Sequence, residues 1–174
     1  MTNLSRVISP TLYEPCPQDG AEIKQLVKLC HPFLEKNSTY SYLLLCKHFS
    51  STCMIARKNS DLVGFISAYI PPQKSQTLFI WQIAVLPKER RCGLALLMLK
   101  ELLSRPHLKN IKYIEATISL SNRASLYAFK SLAKNIDAHY EIKTGFGKEL
   151  FSNEDHEDEY LFRIGPLIPK EKLK

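Results

Sequence analysis

Arg90, Arg91, Cys92, Gly93, Leu94 and Ala95 are the residues whose types and spacing most directly imply chemistry. They lie between an apolar run, Thr77–Val85, and a strongly apolar stretch, Leu94–Leu103, so a strand enters a basic glycine turn and a helix leaves it. A helix N-terminus presents backbone N–H groups without intrahelical acceptors, and the helix dipole places partial positive charge there. Gly93 lets a ligand approach the backbone closely, and Arg90 and Arg91 add fixed charge. The expected occupant is a diphosphate. Cys92 contributes its backbone amide more than its thiol, since nothing nearby marks a partner base.

A second chemical feature is the run Ile111–Leu120. Ile114, Ala116, Ile118 and Leu120 alternate with Glu115, Thr117 and Ser119, so period two puts one carboxylate and two hydroxyls on one strand face. A carboxylate in the middle of an apolar strand is costly unless it is paired or functional. Glu115 is therefore the first candidate for handling a proton.

The elements that must position these groups follow from pattern. Thr11–Cys16 reads as a short opening strand, and Asp19 with Glu22 forms a capping-box pattern ahead of Ile23, Leu26, Val27 and Cys30. A second helix is expected over about Ser41–Phe49. Cys53–Arg57 and Leu62–Tyr69 form a strand pair turning at Asn59–Asp61. Leu94–Leu103 is apolar nearly all round and is expected to be buried against a sheet. Ser121 or Asn122 caps a helix with the face Leu126, Phe129, Ala133 and Ile136. His139–Gly145 and Glu159–Ile164 are closing strands. The sum is an α/β (α+β) fold, one mixed layer of sheet flanked by helices.

The chain has 174 residues, 45% hydrophobic and 24% charged, the composition of a soluble globular protein large enough for one well-filled core. The expected organisation is a flexible N-terminus (1–10), a single domain (11–167) and a basic C-terminal tail (168–174). No apolar run matches a membrane span and the N-terminus lacks a secretion signal, so a cytoplasmic location without membrane partner is expected. Five scattered cysteines with no C-x-x-C pair argue for reduced thiols and against a metal site. The net charge of +7 is spread along the chain, concentrating only at Lys88–Arg91 and Lys170–Lys174. That distribution favours a small polyanionic ligand over nucleic acid.

Arg90, Gly93 and Ala95 fit Arg-x-x-Gly-x-Ala, and in this strand–turn–helix context the chain resembles the GNAT acetyltransferases. The resemblance implies a mixed, mostly antiparallel sheet, with acetyl-CoA as co-substrate and no metal. It also implies pantetheine pairing along Ile83, Ala84 and Val85, and coenzyme contacts from Asn122 and Ser125. The blocks EKNSTYSYLLLCKHFSSTC, GFISAYIPP, FIWQIAV, IEATISLSNRAS and HEDEYLFRIG narrow it further, from about Pro15 to Pro166. They resemble the diaminobutyrate acetyltransferases of ectoine biosynthesis, which acetylate the γ-amino group of L-2,4-diaminobutyrate. This implies a homodimer, with Glu35, Asn37, Tyr40, Trp81, Glu115, Thr117 and His156 lining the acceptor pocket.

Such a reaction makes demands the residues can be tested against. An alkyl ammonium with a pKa of ~10 is protonated near neutrality and cannot attack a thioester. The site must accept its proton and polarise the acyl carbonyl. Glu115 is expected to take or relay the proton, Trp81 to wall the pocket, and Glu35 to pair with substrate ammonium. Trp81 has a plain core role as its rival, His156 a solvated position in an acidic run, and Asn122 is a helix cap, a coenzyme contact or both. Glu35 stands where the family usually has aspartate. Phe129 stands where many GNAT enzymes carry a tyrosine that protonates the leaving thiolate, with Tyr127 two residues earlier, so the general acid is unassigned. Two other functions compete: acetylation of a different diamine or polyamine, and a non-catalytic acyl-CoA-binding module.

Overall fold

The computed structural model describes residues 9–30, 34, 36–151 and 156–167. They form a seven-stranded sheet: β1 (Thr11–Tyr13), β2 (Met54–Lys58), β3 (Asp61–Tyr69), β4 (Thr77–Val85), β5 (Tyr113–Ser119), β6 (Tyr140–Phe146) and β7 (Glu159–Ile164). Their spatial order is β1-β2-β3-β4-β5-β7-β6, antiparallel throughout except for the parallel pair β4/β5. Four helices accompany it: α1 (Gly20–Leu29), α2 (Thr39–His48), α3 (Leu94–Leu103) and α4 (Arg123–Asn135).

The helices cover the two faces unequally. Met98, Leu99 and Leu102 of α3 and Phe129, Leu132 and Ala133 of α4 pack on Leu78, Ile80, Ile114, Ala116 and Phe162. That layer spans the middle of the sheet. On the other face, Ile23 and Val27 of α1 and Tyr42 and Leu45 of α2 pack on Ile55, Phe65 and Ala84. The second cluster includes no residue of β5, β6 or β7. The polar face of β5 is thus left without a helix over it among the described residues.

Several local expectations are corrected. Asp19 and Glu22 do not form a capping box on α1. Pro17 starts a 3-10 turn that runs directly into α1, so Asp19 is itself helical and accepts from the Cys16 N–H at 2.7 Å. Arg57 then draws both carboxylates, bonding Asp19 at 2.8 Å and Glu22 at 2.6 Å. Burial works against the Asp19 charge, but the bonds from Cys16 and Arg57 outweigh it and hold the carboxyl below its ordinary range. β1 stops at Tyr13, ahead of Pro15. α2 begins at Thr39 because Ser38 caps it, accepting from the Ser41 N–H at 3.1 Å. The β2–β3 turn is tight, with both Asn59 and Ser60 at positive φ. α3 is not buried all round: Leu97 is 45% exposed. β5 ends at Ser119, leaving Leu120 outside the alternation and exposed.

The cysteines divide by burial, with Cys16 and Cys92 exposed and Cys30, Cys46 and Cys53 buried, all five as thiols. Burial pushes the Cys46 thiol up to about 12 and the Cys53 thiol up to about 11. The reactive thiolate is therefore scarce at both. Titration with a thiol-specific chromogenic reagent at neutral pH should modify Cys16 and Cys92 quickly and the other three only on unfolding. Rapid modification of all five in the native protein would contradict this packing.

Candidate active site

The site begins with a break in the sheet. β4 and β5 pair only from Thr77/Tyr113 to Phe79/Glu115, and beyond that point they part. In the register with β3, Ser67 faces Gln82 and Ala68 faces Ile80, so Trp81 is an extra residue, a β-bulge. The bulge reverses the faces of β4. Leu78 and Ile80 point into the α3/α4 core before it, whereas after it Ala84 joins the α1/α2 core and Ile83 and Val85 lean on the α3/α4 side. Trp81 itself is 45% exposed, so it is not a core residue.

At the far end of β4 the chain turns into α3. Arg90 Nε donates to the Val85 carbonyl at 3.1 Å, tying the turn to the end of the strand. Arg91 and Gly93 both adopt positive φ, 64° and 76°. Backbone hydrogen bonding resumes at Leu97, whose N–H donates to the Gly93 carbonyl at 2.9 Å. The N–H groups of Arg91, Cys92, Gly93, Leu94 and Ala95 have no acceptor among the described residues. A Cβ on Gly93 would meet nothing within 4 Å, so the space over these amides is open. The Cys92 thiol donates to the Arg90 carbonyl at 3.5 Å. This cradle fits an anion such as a diphosphate.

Glu115 lies at the apex of the split. It is 2% exposed and faces two cations: Lys74 Nζ at 2.9 Å from Oε2 and Arg163 Nη1 at 3.1 Å from Oε1. The Lys74 contact is a hydrogen bond, while the Arg163 contact is an ion pair without hydrogen-bond alignment. Arg163 is opposite Glu115 on β7, and its guanidinium lies over the Tyr113 ring at 3.9 Å. Beside this group is a cavity of about 350 Å³, lined by Pro71, Lys74, Phe79, Glu115, Thr117 and Phe146 among others.

The remaining site candidates are placed as follows. Glu35 lies outside the described residues. Asn37 has its side-chain nitrogen buried without a hydrogen-bond partner among the described residues. Tyr40 is 67% exposed on α2, and the buried tyrosine of that helix is Tyr42, whose hydroxyl donates to Gln82 Oε1 at 3.3 Å. Burial raises the Tyr42 phenol above its ordinary range, against the opposing influence of the nearby polar groups of Asn37 and Gln82. His156 is not simply solvated: its ring stacks on Phe151 at 3.6 Å, and Nδ1 lies 2.7 Å from the Glu157 carbonyl. Asn122 caps α4, its Oδ1 accepting from the Ser125 N–H at 3.1 Å. Phe129 is a core residue against Phe162, and Tyr127 points outward, so neither supplies an acid in this arrangement.

The sequence reading missed Lys74, Arg163, Tyr42 and Gln82. Arg163 was findable only through strand register, since a charged residue in an apolar closing strand needs a partner. Lys74 lies in the β3–β4 loop and carries no pattern of its own.

Comparison with known proteins agrees with this architecture. The chain belongs to the acetyltransferase (GNAT) family, whose model matches residues 20–133. Within it, the chain is 42% identical over 159 residues to the L-2,4-diaminobutyric acid acetyltransferase of Halalkalibacterium halodurans, covering 91% of this chain and 83% of that one. It is 40% identical over 168 residues to the enzyme of the same name from Marinococcus halophilus, covering 96% of each. Among solved structures, the diaminobutyrate acetyltransferase EctA from Paenibacillus lautus, in complex with L-2,4-diaminobutyric acid and coenzyme A, superposes with a TM-score of 0.89 at 38% identity, covering 92% of this chain and 97% of that one. The expected mixed, mostly antiparallel fold and the expected kinship both hold. No described helix is long and apolar enough to cross a membrane, and the described residues hold no group of three metal-ligating side chains.

Because the space above Gly93 is open, Gly93→Ala should act through its left-handed backbone alone. The expected loss is about 1 kcal/mol, read from urea unfolding. A loss beyond about 3 kcal/mol would mean that the turn is packed and not an open cradle.

Proposed function

We propose that this protein transfers the acetyl group of acetyl-CoA to the γ-amino group of L-2,4-diaminobutyrate by direct amine attack. The observation that carries the reading is the split between β4 and β5, which runs from open amides at the α3 N-terminus to a buried carboxylate at its apex. The residues present fit coenzyme A. The amides of Arg91, Cys92, Gly93, Leu94 and Ala95, with Arg90 and Arg91, would hold the diphosphate. The β4 edge at Ile83, Ala84 and Val85, unpaired toward β5, would meet the pantetheine arm. Asn122 and Ser125, at the start of α4, complete the coenzyme set. The thioester supplies an activated acyl carbon; the amine nitrogen bonds to it as the carbon–sulfur bond breaks and thiolate leaves.

The chain's own residues supply the rest. Glu115 receives the proton that the ammonium must lose before it can attack. Trp81 and Thr117 flank the amine, and Asn37, Tyr40 and His156 complete the acceptor pocket, with Glu35 the expected partner for the substrate's ammonium charge. A thiolate with a thiol pKa of ~8.5 is a tolerable leaving group, so water is a sufficient acid where Phe129 replaces the usual tyrosine. The choice of acceptor is supported by the similarity to diaminobutyrate acetyltransferases over most of the chain. The product would enter ectoine formation in the cytoplasm. A homodimer is part of the same reading, supported by the edge strand β6, which leaves Tyr140, Ile142 and Phe146 exposed.

Purified protein given acetyl-CoA and diaminobutyrate should release free coenzyme A and form the γ-acetyl product, identified by NMR. The preference should hold against putrescine, ornithine, lysine and 2,3-diaminopropionate. Thiol release would exclude the binding-module reading, and release with another of these amines but not with diaminobutyrate would assign a different acceptor. Glu115→Gln should keep acetyl-CoA affinity and the native fold by circular dichroism while losing roughly 10²-fold in turnover. Turnover within a few-fold of the parent would remove Glu115 from the proton path.

A further inference from the structure

The two cations on Glu115 are not equivalent. Arg163 is held on β7, half-buried and clamped over Tyr113, so it stays with the carboxylate. Lys74 has 49% of its side chain exposed, and its Nζ contacts only Glu115 among the described residues' carboxylates. The loop backbone around Lys74 is pinned: its N–H donates to the Pro71 carbonyl and its carbonyl accepts from the Thr77 N–H, both at 2.9 Å. The side chain is therefore the movable part, hinged at a fixed point on the rim of the 350 Å³ cavity.

A buried carboxylate cannot lose its only partner without a large cost. With Arg163 permanently in place, Glu115 can exchange Lys74 for another cation and remain neutralised. The geometry points to Lys74 as a residue that selects for a carboxylate on the acceptor: the substrate's ammonium replaces it at Glu115 Oε2, and the displaced Lys74 ammonium pairs with the substrate's carboxylate. This rests on the amino-acid acceptor proposed above. One internal ion pair is exchanged for two with the ligand. A plain diamine can make the first exchange only, and it leaves Lys74 unpaired beside a second ammonium. Like charges at that distance disfavour binding. The pair thus discriminates a diamino acid from a polyamine of the same length.

The test compares the parent enzyme with Lys74→Met and Lys74→Arg, using diaminobutyrate as substrate and 1,3-diaminopropane, its decarboxylated counterpart, as competitor. Lys74→Met should raise KM for diaminobutyrate roughly three- to tenfold with kcat within twofold, while the inhibition constant of 1,3-diaminopropane stays level or falls. Lys74→Arg should retain most of the parent preference. A parallel rise in KM and in that inhibition constant would assign Lys74 only to neutralising Glu115 and overturn the proposal. So would a fall in both, which would make Lys74 a mere competitor for the carboxylate. A parent enzyme that does not acetylate diaminobutyrate at all would overturn the acceptor reading itself, a result distinguishable from an unchanged preference in an active variant.

Discussion

Backbone groups inside a sheet normally pair on both sides, and leaving them unpaired in the interior of a protein is expensive. β4 and β5 nevertheless separate after Phe79/Glu115, in the middle of a seven-stranded sheet. The rest of the molecule is arranged around that gap. The extra residue at Trp81 turns β4 so that its two halves feed different cores, which lets the strand diverge without losing its packing. α3 and α4 close one face across the split, while α1 and α2 stop short of β5 on the other. A ligand with an extended amide backbone can pair where β5 does not.

The electrostatics follow the same line. One end of the gap has backbone amides without acceptors and two arginines; the other has a buried carboxylate between Lys74 and Arg163. Positive potential at the mouth suits a diphosphate, and the apex carboxylate can hold a ligand's ammonium in exchange for one of its two cations. A nucleophile and an acyl donor brought to the two ends of one cleft meet where the strands begin to part. Proximity of this kind is a large share of what such a catalyst can provide when the donor is already activated.

Local pattern was a good guide wherever one face of an element is buried and the other is not. β4, β7 and α3 have the bounds that alternation and helical spacing predict, and the Asn122 cap was legible from residue type. It failed where a distant partner competes for a local group. Asp19 and Glu22 look like a capping box until Arg57, 38 and 35 residues away, takes both carboxylates. Leu97 looks like core because composition does not say how much of α3 the sheet can cover.

The sequence by itself determined that a strand, a glycine turn and an apolar helix follow one another at Trp81–Leu103, and that Glu115 stands on the polar side of an apolar strand. Those are properties of neighbours along the chain, set by periodicity and by the backbone demands of Gly93. Only the tertiary structure decided that β4 leaves β5 at Glu115, and that Lys74 and Arg163, 41 and 48 positions away, meet the carboxylate there. The reason is physical: a bulge and a strand register are set by pairing between distant segments. A charge alone in the sequence acquires its role only from what that pairing puts beside it.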